Sequence, residues 1–242
     1  MQRNLTYCIW IFLSLGKIPI ALGSDSPNPQ SNYTNYFRAL IRYEPVAGPG
    51  GLGAGSSNVG LGMSNIDPPK AGELTPTARA EDHSNQSVLP RFSMQRGLIY
   101  PWAMGFQYGF FPQSGIGSIG LHGQWTVFEQ FSFPTLAFRL SYSQLTGLAD
   151  AHFAMLGVDT MLGYTLLPWI HIYISYLNHA ERFDFTVDQV RASKNLHWVA
   201  QGTPSLGFRL NMGSNPYYIS YAQSIESSAP RRTHHLRFSY GF

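Results

Sequence analysis

The sequence predicts an all-β chain, a transmembrane antiparallel up-and-down β-barrel of about ten strands. Three observations carry this. Of 242 residues, 12% are charged, 44% hydrophobic and 14% aromatic, which is about half the charge of an ordinary soluble domain. Beyond the N-terminal region no run of about 18 apolar residues occurs, so lipid is not crossed by helices. From residue 97 onward, segments of about ten residues alternate apolar with small or polar side chains. A closed barrel is the other structure that satisfies every backbone group in hydrocarbon.

Residues 1–23 read as a secretory signal: Arg3 is the basic start, Tyr7 to Leu15 and Ile18 to Leu22 are apolar, and Ala21-Leu22-Gly23 offers a small-x-small cleavage site before Ser24. The apolar part is too short and too interrupted, by Lys17 among others, to span about 30 Å of hydrocarbon as a helix. Cys8 lies in this segment, so the remainder holds no thiol and no lipid-attachment cysteine. With Arg3 and Lys17 also gone, 14 basic residues face 13 acidic ones, and nucleic acid is not an implied partner.

Residues 24–56 form an N-terminal segment. Asn35 to Glu44 reads as a short helix with Tyr36, Phe37, Leu40 and Ile41 on one face, capped by Thr34 or Asn35 and stopped by Pro45. It also reads as a strand, because Phe37, Ala39, Ile41 and Tyr43 alternate. Either way it is a candidate plug that would bring Glu44 toward inward-facing arginines. The glycine-rich stretch from Gly48 to Gly55 lacks the lysine and hydroxyl of a phosphate loop and serves as a flexible lead into the barrel.

Residues 57–242 hold the strands. Four alternating segments open on a proline, at Pro101, Pro134, Pro168 and Pro216, spaced by 33, 34 and 48 residues. Proline suits a strand's first position, where no ladder donor is needed. Each spacing fits one strand, its returning partner and their connections, so the prolines mark every second turn. Returning strands fall near 117–129, 152–166, 203–213 and 233–242, with further strands near 58–66 and 88–98. Connections are short at Glu129 to Pro134, Leu166 to Pro168 and Gly213 to Pro216, and long at 67–89, 178–203 and 226–234. Ten strands result, an even number as a single-chain barrel requires, with eight as the alternative count.

The last strand, His234 to Phe242, places Leu236, Phe238, Tyr240 and Phe242 on one face and His235, Arg237, Ser239 and Gly241 on the other. This closing strand, ending on an aromatic residue after alternating apolar positions, resembles that of the bacterial outer-membrane β-barrel superfamily. The resemblance covers the architecture of residues 57–242. It implies that Leu236, Phe238, Tyr240 and Phe242 form an assembly signal read by the barrel-assembly machinery after passage with periplasmic chaperones. It also implies residence in the outer membrane, among its lipids and lipopolysaccharide.

Alternation assigns Phe106, Tyr108, Leu121, Trp125, Phe138, Leu140, Ile172, Ile174 and Phe208 to the lipid face, with Trp102 and Trp169 in the aromatic girdle beside the turns. The inward set holds His122, Gln124, Thr126, Arg139, Asp159, His171, Tyr173, Arg209, Asn211 and Arg237. Arg139, Arg209 and Arg237 lie about five residues from a turn or the chain end, hence at similar depth against one carboxylate, Asp159. Unpaired buried charge is costly, so water, anions or another segment must answer it. Inward glycines, among them Gly60, Gly105, Gly120, Gly163 and Gly207, either keep a narrow lumen from overpacking or leave room for another backbone.

These features favour a narrow, anion-preferring passive pore or a structural envelope protein. A surface interaction module using the loops at 67–89 and 178–203 is the alternative. Asp150-Ala151-His152 is similar to half of the catalytic set of omptin-like outer-membrane proteases, but the second acidic pair is missing; Glu81-Asp82-His83 is a poor substitute, so no catalytic residues are assigned. Scattered histidines lack metal-ligand spacing and no cofactor is implied. Oligomeric state is not readable from the sequence.

Overall fold

In a computed structural model the described residues are 34, 37–43, 48–66, 88–110, 116–130, 133–148, 151–187, 190–199, 202–212, 216–225 and 232–242. They form strands β1 (Ser57–Asn65), β2 (Val88–Gly97), β3 (Trp102–Phe110), β4 (Gly117–Gln130), β5 (Phe133–Thr146), β6 (Ala151–Leu167), β7 (Ile170–Val187), β8 (Val190–Trp198), β9 (Thr203–Asn211), β10 (Tyr217–Ile225) and β11 (Arg232–Gly241). The expected signal segment 1–23 and the connection at 67–87 lie outside the described residues.

Ten strands close a ring in the order β6-β5-β4-β3-β2-β1-β11-β10-β9-β7, and β6 pairs β7 to complete it. Every pairing is antiparallel. The seam joins β1 to β11, from Asn58 opposite Gly241 to Asn65 opposite His234. It is sealed at its end by Ser57 and Phe242, whose N–H groups donate to each other's carbonyls at 2.7 and 2.8 Å.

Period-two alternation decides which way each side chain points. In β5 the burial pattern from Ala137 to Ser143 alternates without a break: Ala137, Arg139, Ser141 and Ser143 are buried, and Phe138, Leu140 and Tyr142 are exposed. The same outward row continues around the ring as Leu61, Met63, Met104, Leu121, Trp125, Ile172, Ile174, Leu206, Phe208, Leu236 and Phe238. An apolar belt of this extent does not face water in a stable monomer, and a closed ring leaves no unpaired edge, as lipid demands. At the end of the ring that carries Phe242, Trp102 stacks on Trp125 with centroids 5.8 Å apart, and Trp169 is half exposed in the β6–β7 turn.

One expectation is corrected. The segment 178–203 is not a loop: β7 continues to Val187 and turns into β8, which pairs its upper half from Ala180 opposite Trp198 to Val187 opposite Val190. The lower half of β7, Ile170 to Leu177, pairs β9 within the ring. Above Leu177, β7 still pairs β6 as far as Phe185 opposite Ala151, and β8 takes the place of β9 on its other side, at the end opposite Phe242.

Candidate functional site

The lumen is occupied by the chain's own N-terminal segment. Residues 37–41 make a turn of helix, with the Arg42 N–H donating to the Arg38 carbonyl at 3.0 Å, and Phe37 through Tyr43 are all buried. Of the two readings the sequence allowed for this stretch, the helical one applies. The turn sits inside the ring at the hairpin end, where Phe37, Leu40 and Ile41 pack with Ile66, Leu89, Phe153, Met155 and Phe185. This apolar cluster fills the mouth. Burying one such side chain contributes about 1.5–3 kcal/mol.

Polar groups fix the turn at both ends. Arg38 reaches the upper half of β7 and meets both oxygens of Glu181 at 2.8 Å. The last carbonyls of a helical turn have no partner within the helix. Here the Arg91 guanidinium from β2 supplies it, donating to the carbonyls of Leu40 (3.1 Å) and Arg42 (3.3 Å) while its Nε donates to Ser64 Oγ at 2.7 Å. A cation at a helix C-terminus also meets the negative end of its dipole.

Below the turn the chain descends through the bore. Tyr43 lies 4.6 Å from the His122 ring, with the Arg139 guanidinium 5.7 Å from its centroid. Further down, Gln124 Nε2 and Thr126 Oγ1 both donate to the Pro49 carbonyl at 3.2 Å, and the Gly51 N–H donates to Glu129 at 2.9 Å. The inward glycines are where this descent touches the wall. Gly120 lies under Tyr43, and a Cβ there would come within 2.9 Å of the ring; Gly163 faces Pro49. Gly60 lies beneath the Arg237 guanidinium and Gly207 beneath the Tyr173 ring. The segment leaves at the Phe242 end, where the Gly55 N–H donates to the Gly97 carbonyl, and becomes β1.

The inward residues are distributed around this filling. His122, Gln124, Arg139, Asp159, Tyr173 and Arg237 are buried inside the ring, while His171 and Arg209 are half-buried. Arg139 stands opposite Asp159 in the β5–β6 ladder and donates to Gln124 Oε1 at 2.8 Å. Arg237 donates to Asn58 Oδ1 at 3.3 Å. Arg139 and Arg237 line one cavity, with Tyr43, Arg91 and His122. Arg209 lines another, together with Gly48, Pro49, Glu129, His171 and Tyr173. Glu44 lies outside the described residues.

Four interior participants escaped the sequence reading. Arg91 could have been found, because β2 alternates and Arg91 shares a face with Ser93 and Gln95, opposite Phe92 and Met94. Arg38, Arg42 and Glu181 carried no such signal; the Arg38–Glu181 pair spans 143 positions. His152 is exposed on the outer face of β6, and Asp150, its expected partner, lies outside the described residues, as do Glu81, Asp82 and His83.

No family model matches the chain and no curated protein matches it. Among solved structures it is similar to a KdgM porin at 6% identity and a TM-score of 0.40, covering 76% of this chain and 99% of that one. It is also similar to the translocator domain of the autotransporter NalP from Neisseria meningitidis, at 8% identity and 0.41, covering 79% and 89%. A third is the Yersinia pestis attachment invasion locus protein Ail, at 10% and 0.34, covering 78% and 99%. These likenesses are loose, and none assigns a ligand or a role.

Proposed function

We propose that this chain is an integral outer-membrane β-barrel kept closed by its own N-terminal segment, and that it conducts small solutes when that segment is displaced. The observation that carries this is the placement of residues 37–43 and 48–55 inside the ring, apolar at one mouth and hydrogen-bonded to Gln124, Thr126 and Glu129 near the other. On this reading residues 1–23 direct export, the Phe242 end faces the periplasm and the β7–β8 hairpin faces outward. Leu236, Phe238, Tyr240 and Phe242 lie on the lipid side, accessible to the assembly machinery that their resemblance implies.

The wall left by removing the segment keeps a basic excess, with Arg91, Arg139, Arg209 and Arg237 against Asp159, Glu129 and Glu181. Such a field favours anions. Single-channel recording of the refolded protein should show a closed or barely conducting state. A variant lacking residues 24–50 should open a pore with anion preference. Equal conductance from the two would sink the plugged reading.

A second reading rests on the hairpin. At the end opposite Phe242, β8 adds a strand outside the ring to the upper half of β7, a face suited to binding a partner. Replacing residues 183–197 by a short turn should abolish such binding without disturbing the ring.

A further inference from the structure

Between Tyr43 and the wall formed by β1 to β5 and β11 lies a cavity with about 30 Å³ of free room, enough for one or two water-sized occupants. Its walls carry Arg91, Arg139, Arg237 and His122, and no carboxylate. Their charges are unevenly answered. Arg91 is held by backbone carbonyls and Ser64, and Arg139 faces Asp159 across the ladder. Arg237 is 7% exposed; among the described residues its hydrogen-bond acceptor is the neutral Asn58 amide, and its Nε has none. His122, also 7% exposed, has no partner on either ring nitrogen among those residues. A guanidinium removed from water with no opposite charge costs several kcal/mol, and a small anion beside it removes that cost while accepting from the groups left over.

We propose that this cavity is a binding site for one small inorganic anion of about chloride size, held by Arg237 and Arg139 against His122 and closed over by Tyr43. The inference rests on the plugged reading, because Tyr43 belongs to the N-terminal segment and forms one wall. Chloride or bromide matches that room, and gluconate, a much larger polyhydroxy carboxylate, serves as the control anion. The alternative source of negative charge is the chain itself, through Glu44, the residue after Tyr43.

The test is thermal unfolding of the refolded full barrel, N-terminal segment included, in sodium chloride and in sodium gluconate at equal ionic strength. At a saturating concentration of about 0.1 M, chloride should raise the melting temperature by about 4 °C over gluconate. Arg237→Gln should abolish the difference. If that variant does not fold, chlorine-35 line width decides: the unaltered barrel should broaden the chloride signal, and bromide but not gluconate should restore it. Equal melting in both salts with no broadening overturns the site. So does a chloride response that Glu44→Gln acquires and the unaltered barrel lacks, which assigns the counter-charge to Glu44. A barrel that conducts freely when intact refutes the plug, whereas one that is closed but indifferent to chloride refutes only the anion site.

Discussion

Arg91 shows how much a single inward side chain decides. Its guanidinium answers the orphan carbonyls of the helical turn and a hydroxyl of β1 at once, so Arg91→Ala removes donors from buried acceptors. Leaving a buried carbonyl unsatisfied costs about 1–3 kcal/mol. The N-terminal segment escapes that penalty by leaving the lumen, so limited proteolysis should clip it early while the ring stays intact. Glu181→Ala should act the same way from the other side, since a buried partner such as Arg38 is not left charged and alone at a cost of about 3–5 kcal/mol. Unchanged protease resistance in both variants would mean that the apolar cluster of Phe37, Leu40 and Ile41 suffices. Gly120 makes the complementary case: Gly120→Val puts carbon where the Tyr43 ring lies, so the same clipping should appear with no polar contact removed. At this scale the sequence was half legible. His122, Gln124, Arg139, Asp159 and Arg237 follow from alternation, because a strand's period of two states direction outright. What each one touches does not follow, because contacts such as Arg38 with Glu181 join positions that no local pattern links.

The strands differ in how plainly they announce themselves, and the difference is physical. β5, β7 below Leu177, β9 and β11 lie between lipid and lumen, and that contrast writes itself into every second residue. Turn prolines add punctuation where no ladder donor is required. The mixed acidic and basic residues of Glu181 to Lys194 read as a solvated external hairpin, and β8 does pair there with the upper half of β7, above the ladder of β7 with β9. Two substitutions separate these zones. Ile174→Arg, in the middle of the ring portion of β7, should destabilise the refolded barrel by about 2–4 kcal/mol, and Leu196→Arg on β8 by about 0–1 kcal/mol. Urea unfolding in lipid vesicles measures both, and equal costs would place the hairpin inside the membrane.

For the whole molecule, closure depends on ten strands and not on the eleventh. Removing the hairpin tip, residues 183–197, keeps the Ile170 to Leu177 pairing with β9 that holds the ring together. The shortened protein should therefore still migrate differently on gels before and after heating, as a closed barrel does; loss of that shift would make β8 part of the closure. The count of ten was legible because lipid forbids open edges and an up-and-down ring of one chain must be even. The filling of that ring was legible as a possibility from Phe37 to Tyr43, but its route was not. That route is set by many small accommodations, Gly163 opposite Pro49 and Thr126 beneath the same carbonyl, that no linear spacing encodes.

The course of the N-terminal segment also bears on how the barrel is made. It enters at the hairpin mouth, leaves at the other and is covalently continuous with β1, one side of the β1–β11 seam. Were the ring sealed first, a free chain end would have to be drawn the full length of a finished tube, past the seat of Tyr43 under His122. Laying the strands down around the segment avoids that passage. On this reading the segment is a mandrel on which the wall is wound, and the β1–β11 seam closes around it.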